Sequence, residues 1–256
     1  MWFTIQFDWI RTLMRNILDR SIDAFMGLFI NNNKIVVFTG AGVSAESGLQ
    51  TFRDSGGLWE GHSVKDFATL EGWKRDPEKV LLFYNDRKEQ VLHAEPNQAH
   101  RAIAELEKKF KVVVITQNVD DLHERAGSTN VIHLHGQLSR ARSSIDPKLT
   151  YELGDKPVLM GELCRKGSQL RPDIVWFGEK IQNYKTARKH IRSARRVLIV
   201  GTSLEVFPAA GLVREAQWKA EKIIVAPEMK RKPNGFAWLK GTATSQVPMI
   251  VRKWLD

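Results

Sequence analysis

The side chain whose type and position best fit proton transfer is the imidazole of His135. An imidazole titrates near neutral pH, so it can accept a proton from a hydroxyl group. His135 follows a predicted strand at 131–134 and is itself followed by Gly136. A histidine at a strand end is more often structural, and His133 is the candidate for that role. We therefore predict that His135 is the general base of an active site.

A second group of polar side chains follows the predicted strand at 111–116. Gln117, Asn118 and Asp120 come just beyond the end of this strand. Capping of the next helix would account for Asp120, but it explains Gln117 and Asn118 poorly. The group is therefore predicted to bind a ligand.

A glycine-rich turn at 40–48 follows a β-branched run at 34–39. Glycine lets the backbone approach a pyrophosphate, and N–H groups at the start of the next helix can bind it. The turn is not the dehydrogenase fingerprint, because its third glycine comes too late after Gly42. A dehydrogenase would also want an acidic residue about 20 positions past the turn, where Glu60 stands outside any predicted strand.

Five short apolar runs predict the strands that position these groups. They alternate with predicted helices, which indicates an α/β fold with a Rossmann-like, doubly wound parallel sheet covered on both faces. Ligands of such sheets bind at the carboxyl ends of the strands. The predicted strands are 34–39, 111–116, 131–134, 196–200 and 222–225, and the predicted helices are 64–95, 96–110, 185–196 and 208–220.

The polar stretch at 137–170, with its glycines and prolines, interrupts this alternation. It predicts a small inserted module within a domain formed by 34–136 and 171–256, which also carries a helical insertion at about 55–95.

Residues 1–33 are predicted to be a helical N-terminal extension. Charged residues interrupt its apolar series too often for a membrane span, and a secretory signal is absent from the pattern. In this interpretation the extension packs on the folded domain or on a partner chain. The alternative is that translation naturally starts at Met26.

The composition is that of an ordinary globular protein, with 43% hydrophobic and 27% charged residues among 256. The single cysteine, Cys164, cannot form an intramolecular disulfide, which fits a reducing compartment and a cytoplasmic location. The net charge of +10 comes without a nucleic-acid-binding motif. We therefore expect no specific nucleic-acid partner and no membrane partner.

The chain resembles the sirtuin family, specifically its short bacterial branch, over about residues 34–227. Five motifs carry the resemblance in the family order: 40–53, 116–120, 134–136, 172–179 and 201–203. The resemblance implies an enzyme that consumes NAD to remove acyl groups from lysine side chains of proteins or peptides. Its products would be the free lysine, nicotinamide and O-acyl-ADP-ribose.

The resemblance also implies roles for individual residues. Phe52 would shield the glycosidic bond from water, Arg53 would face the phosphates, and Asp120 would accept a hydrogen bond from the nicotinamide carboxamide. The implied catalytic residues are His135 and Asn118. The implied NAD-binding residues are Gly40, Ala41, Gly42, Ser44, Glu46, Phe52, Arg53, Gln117, Asn118, Asp120, Gly201, Thr202, Ser203 and Ala226. The implied substrate-binding residues are Tyr84, Arg87, Val175, Phe177, Gly178, Glu179 and Val206.

Tyr84 and Arg87 share a face of a predicted helix because they stand three residues apart. In the family, such a pair recognises acidic acyl groups such as succinyl and malonyl, in branches that also remove acetyl groups. A guanidinium can grip a carboxylate with two hydrogen bonds, so the chemistry agrees with this role.

The chain departs from most sirtuins in its metal ligands. Most members hold a structural zinc ion with two Cys-x-x-Cys pairs in the inserted module. Here 140–146 contains no cysteine, and the second pair retains only Cys164. We therefore predict no structural zinc, and 137–170 is the remnant of a zinc-binding module. A further departure is Ala226, which stands where most relatives have an asparagine for the adenosine ribose.

Two other functions remain open. The missing zinc ligands and Gln50, where relatives usually have proline, would suit a degenerate NAD-binding regulator. Protein ADP-ribosyl transfer would use the same activated ribose carbon. Asn118 and His135 favour an active enzyme, and the Tyr84 and Arg87 pair favours deacylation.

Overall fold

The computed structural model describes residues 31–50, 58–59 and 62–256. The strands are β1 (Asn31–Thr39), β2 (Leu58–Trp59), β3 (His62–Ser63), β4 (Lys111–Thr116), β5 (Val131–His133), β6 (Gly136–Ser143), β7 (Thr150–Glu152), β8 (Leu170–Ile174), β9 (Ala194–Val200), β10 (Glu221–Ala226) and β11 (Ala237–Lys240). The α-helices are α1 (Val64–Phe67), α2 (Leu70–Arg75), α3 (Pro77–His93), α4 (Gln98–Glu105), α5 (Leu122–Arg125), α6 (Tyr184–Arg192) and α7 (Ala243–Leu255). Short 3-10 turns lie at Ala41–Val43, Ala45–Ser47, Leu106–Lys108 and Ala209–Glu215.

Six of the strands form one parallel sheet in the order β11-β10-β9-β1-β4-β5. The chain runs from β1 outward to β5, returns to β9 on the other side of β1, and continues outward to β11. This confirms the predicted Rossmann-like, doubly wound α/β fold. The strand order reverses between β1 and β9, which is where ligands bind in such sheets.

Both faces of this sheet are covered, because alternate residues of β1 enter different apolar clusters. Ile35 and Val37 pack in a cluster with α4 and α7. Val36 and Phe38 pack in another with α6 and the 3-10 turn at Ala209–Glu215. All four side chains are fully buried. Burial on both faces is the reason that β1 appears in the sequence as one continuous apolar run.

A second, antiparallel sheet in the order β7-β6-β8 joins the predicted small module at 137–170 to β8, of which only Leu170 falls inside those bounds. It packs against α1, α2 and α3 through a third apolar cluster. Cys164 is buried in this cluster, with its Sγ 3.3 Å from the hydroxyl of Ser143 and 3.2 Å from that of Ser168. No group of three or more His, Cys, Asp or Glu side chains suited to a metal ion occurs in the described ranges. That the module lacks zinc stays a prediction.

The element boundaries differ from the predictions where capping side chains intervene. The predicted helix at 64–95 is divided into three, because Thr69 caps the start of α2 and Asp76 caps the start of α3. The predicted helix at 208–220 is wrong in type and extent, since a 3-10 turn forms there. β11 and α7 were not predicted.

Residues 1–30 of the predicted helical extension at 1–33 lie outside the described part of the chain, whereas 31–33 were predicted wrongly, because they belong to β1. Within the described part, no helix combines the length and the apolar character needed to cross a membrane.

Candidate active site

Three glycines bring two loops into contact where the strand order reverses. The backbone N–H of Gly40 donates to the carbonyl of Val200 at 3.1 Å, and that of Gly42 donates to the carbonyl of Gly201 at 2.8 Å. A Cβ atom on Gly42 would lie 2.8 Å from the Cα of Gly201. Gly201 has φ +63°, and a Cβ there would lie 2.2 Å from the backbone nitrogen of Val43. Only glycine fits this crossing.

A cleft of about 1320 Å³ opens at this edge of the sheet. Every described residue that the sequence predicted for the site contributes to its wall. Phe52 and Arg53 belong to the residues outside the described ranges. The predicted residues that line the cleft are Gly40, Ala41, Gly42, Ser44, Glu46, Tyr84, Arg87, Gln117, Asn118, Asp120, His135, Val175, Phe177, Gly178, Glu179, Gly201, Thr202, Ser203, Val206 and Ala226.

His135 lies in the cleft wall with its ring fixed by one backbone contact. Its Nδ1 is 3.0 Å from the carbonyl oxygen of Gln117, so Nδ1 carries the hydrogen and Nε2 keeps its lone pair. Burial lowers the pKa of His135, although the bond to Gln117 opposes this effect. The imidazole is therefore neutral at pH 7 and able to accept a proton at Nε2.

Ser44, Asn118 and Asp120 form a buried hydrogen-bonded group beside the glycine turn. Asn118 Nδ2 donates to Ser44 Oγ at 3.0 Å, and Ser44 Oγ donates to Asp120 Oδ2 at 3.1 Å. Burial raises the pKa of Asp120 to about 6, against the opposing hydrogen bonds from Leu122 N and Ser44. Asp120 is thus a carboxylate at pH 7. It also caps the next turn, because its Oδ1 accepts from Leu122 N at 3.2 Å.

Gln117 reaches across the point where the strand order reverses. Its Nε2 donates to Thr202 Oγ1 at 3.0 Å and lies 3.3 Å from the carbonyl of Thr39. The side chain therefore links the loop after β4 to the loop after β9.

Tyr84 and Arg87 form one wall of the cleft on α3. The hydroxyl of Tyr84 accepts a hydrogen bond from Trp176 Nε1 at 2.9 Å, and burial raises the pKa of this tyrosine. Arg87 is only 7% exposed, and its guanidinium is 3.1 Å from the carboxylate of Asp86. Burial lowers the pKa of Arg87 to about 10, so the side chain remains a cation at neutral pH.

Glu179 holds the turn that carries the predicted peptide-binding residues. Its carboxylate accepts from the guanidinium of Arg142 at 2.6 Å, from that of Arg171, and from Trp176 N at 2.9 Å. The Arg171 guanidinium also lies 3.8 Å from the centre of the Trp176 ring. The sequence analysis missed both arginines. The sequence carries no signal for their burial, because charged side chains are normally exposed and β8 is buried along its whole length.

The opposite end of the cleft contains residues that the sequence analysis also missed. Trp238 on β11 donates from Nε1 to the carbonyl of Ala226 at 2.9 Å, and Lys240 lies beside it in the cleft wall. Glu46 accepts from both the backbone N–H and the hydroxyl of Thr244, at the start of α7. Burial, the largest single influence, would raise the pKa of Glu46, but these bonds and further ones from Thr242 and Ala243 together lower it.

The fold and this cleft define a Rossmann-like protein with a nucleotide-binding edge. The Sir2 family pattern matches residues 40–208. The chain belongs to the Sir2 family.

Relatives and solved structures resemble most of the chain. An NAD-dependent protein deacylase of Helicobacter pylori (strain J99) is 50% identical over 224 residues, which are 87% of this chain and 95% of the relative. One of Bacteroides thetaiotaomicron is 50% identical over 199 residues, 76% of this chain and 85% of the relative. The crystal structure of a Sir2 homolog–NAD complex has a TM-score of 0.76 at 38% identity, covering 91% of this chain and 95% of that one. A Sir2–p53 peptide–NAD⁺ structure has a TM-score of 0.68 at 29% identity, covering 91% and 96%.

Proposed function

We propose that this NAD-dependent protein deacylase of the Sir2 family removes succinyl and malonyl groups, and also acetyl groups, from lysine side chains. The observation that carries the acidic preference is Arg87, a buried cation in the wall of the cleft that also contains His135. A guanidinium presents its N–H donors in a planar fork that matches a carboxylate. A carboxylate at the end of the acyl chain can therefore bind Arg87 in the wall of the cleft.

The residues of the cleft fit NAD. Gly42 and Gly201 carry no side chain where the two loops cross, which supports close backbone approach by a pyrophosphate. Gln117 and Asn118 supply amide groups for ribose hydroxyls, and Asp120 supplies a buried acceptor for a carboxamide N–H. When bound, NAD supplies the electrophilic ribose carbon that takes the acyl group, with nicotinamide as the leaving group.

The polar side chains of the cleft then have separate roles in binding and in proton transfer. His135 accepts a proton from a ribose hydroxyl at Nε2, because Nδ1 is held by the carbonyl of Gln117. Asn118 is oriented by its bond to Ser44. Tyr84, oriented by Trp176, lies on the same helix face as Arg87, where both can meet the acyl group.

The apolar loop at 175–177 is suited to the peptide around the modified lysine. Phe177 N donates to the carbonyl of Ala68 at 2.9 Å, so the loop is tied to the helical region, while the Phe177 side chain is 50% exposed. A peptide can add to such a loop as an extended strand, with Val206 on its other side.

The test is a side-by-side assay of the purified chain on succinyl-lysine and acetyl-lysine peptides, with and without NAD. We expect loss of each acyl group only with NAD, and nicotinamide formed in equal amount. His135→Ala should abolish turnover while NAD still binds, whereas His93→Ala, at an exposed position on α3, should behave like the wild type. NAD binding without turnover on either peptide would overturn the proposal in favour of an NAD-binding regulator.

A further inference from the structure

The imidazole of His133 is buried between two hydrogen-bond acceptors. Its Nδ1 is 3.0 Å from the carbonyl oxygen of Asn118, and its Nε2 is 2.8 Å from a carboxylate oxygen of Glu124. The histidine side chain is 6% exposed, while that of Glu124 is 36% exposed. A carbonyl and a carboxylate both accept, so both ring nitrogens must carry hydrogen. His133 is therefore an imidazolium paired with Glu124.

The electrostatics of the surrounding groups agree with this assignment. Burial alone would lower the pKa of His133, but the hydrogen bond and the charge of Glu124, with smaller effects from Asn118 and Asp120, raise it overall. The neighbouring histidine, His123, behaves in the opposite way. Its pKa is lowered well below the usual value by burial and by the nearby histidines.

The positive charge of His133 acts on Asp120, which burial makes a weak acid with a pKa near 6. Two charges influence this carboxyl from its surroundings: His133 lowers its pKa and Asp121 raises it. The pKa of Asp121 is itself raised, chiefly by burial. Because His123 stays neutral, His133 is the cation that favours ionised Asp120 among the described groups acting on it.

We propose that His133, held by Glu124, is a positioning residue that keeps Asp120 ionised and fixes the backbone of Asn118 in the NAD-binding cleft. It acts through those two residues and does not touch the reacting atoms. The proposal rests on the proposed function, in which Asp120 accepts from the carboxamide of NAD as a carboxylate. It assigns to His133 a specific electrostatic task instead of the purely structural role that its sequence position indicates.

The sign of the expected pH effect follows from the charges. Loss of the imidazolium removes an influence that lowers the pKa of Asp120, so protonation of Asp120 moves to higher pH. An opposite charge within about 4–6 Å shifts a pKa by about 1–3 units, and we use the lower end because burial and the hydrogen bonds from Leu122 and Ser44 act on Asp120 more strongly than His133 does. With a shift from about 6 to about 7, the ionised fraction of Asp120 at pH 6 falls from about one half to about one tenth. The acid limb of kcat/KM should move upward by the same amount.

The experiment compares wild type, His133→Gln and Glu124→Gln by NMR and kinetics. The glutamine at position 133 can still donate to the carbonyl of Asn118, so this variant removes the charge and retains one hydrogen bond. Glu124→Gln leaves the histidine in place and removes the charge that raises its pKa. His93→Gln serves as the exposed control.

Three readouts test the proposal. Nitrogen-15 shifts of the His133 ring in the wild type should give a doubly protonated imidazole at pH 6 to 7, and a neutral ring would overturn the proposal. The Asp120 carboxyl should titrate about 1 pH unit higher in His133→Gln. The kcat/KM at pH 6, relative to each enzyme's maximum, should fall about fivefold, and KM for NAD should rise with it.

An unchanged Asp120 titration in both variants would also refute the electrostatic role. If His133→Gln does not fold, the test rests on Glu124→Gln. This variant must then lower the pKa of His133 and move the acid limb of kcat/KM to higher pH for the proposal to stand. The two NMR titrations need no turnover. Failure of the deacylation assay therefore refutes the proposed function, whereas failure of the titrations refutes this inference.

Discussion

Replacement of Arg87 by methionine separates the recognition of acidic acyl groups from the deacylation chemistry. The methionine keeps much of the length of the aliphatic stem and removes the guanidinium. Hydrogen bonds to charged groups contribute about 1.5–3 kcal/mol each, so the loss of a two-bond contact to a succinyl carboxylate costs about 3 kcal/mol at the lower end of that range. This corresponds to roughly a hundredfold lower kcat/KM for a succinyl-lysine peptide. An acetyl group has no carboxylate, so its kcat/KM should change by less than about threefold.

The assay measures kcat/KM on matched acetyl-lysine and succinyl-lysine peptides at saturating NAD and pH 7.5 to 8, where Arg87 with a pKa near 10 is charged. Arg252→Met, at an exposed position on α7, is the control and should leave both substrates unaffected. Arg87→Lys should give an intermediate loss on the succinyl peptide, because lysine keeps the charge without the planar fork. Equal losses on the two substrates in Arg87→Met, with an unchanged melting temperature, would refute the assignment of Arg87 to the acyl group.

Three further predictions concern the loops, the buried ion pairs and the small module. Gly42→Ala should weaken NAD binding in calorimetry by at least about tenfold, because its Cβ would lie 2.8 Å from Gly201 Cα; unchanged affinity would contradict the close crossing. Glu179→Gln should lower the free energy of unfolding in urea by about 3 kcal/mol, since Arg142 and Arg171 both lose a carboxylate partner while Asp173 remains 3.8 Å from Arg142. A loss below about 1 kcal/mol would place this contact among weak surface pairs. Prolonged treatment with a strong chelator should leave the melting temperature unchanged; a fall of several degrees would disprove the prediction that the module lacks zinc.

The parts of the site that the sequence analysis recovered are local in the chain. The glycine turn and the stretch at 117–120 directly follow buried strands, and His135 comes two residues after the end of β5. Parallel strands place their carboxyl ends at one edge of the sheet. Apolar runs such as 34–39 identify those strands without further information. The roles of individual side chains came from the family resemblance, because composition and periodicity carry no information about them.

The parts that were missed depend on contacts between distant segments. β11 is exposed along its whole length and pairs on one side only, with β10, so it has neither alternation nor an apolar run. α7 contains Pro248, which is a helix-breaking signal in a sequence. Trp238 and Lys240 were therefore never placed near the cleft, and Thr244 was not recognised as the partner of Glu46.

The buried ion pairs suggest how a module with one cysteine can hold its shape. In most family members, four cysteines of this module bind a structural zinc ion. Three of those four cysteines are absent here. Arg142 on β6 and Arg171 on β8 instead meet at Glu179, and Arg142 also donates to the carbonyl of Ile174. The same carboxylate binds Trp176 N, and the Trp176 ring donates to Tyr84. Loss of Glu179 should thus disturb both the module and the acyl pocket, so that the stability and the succinyl-lysine activity of Glu179→Gln fall together.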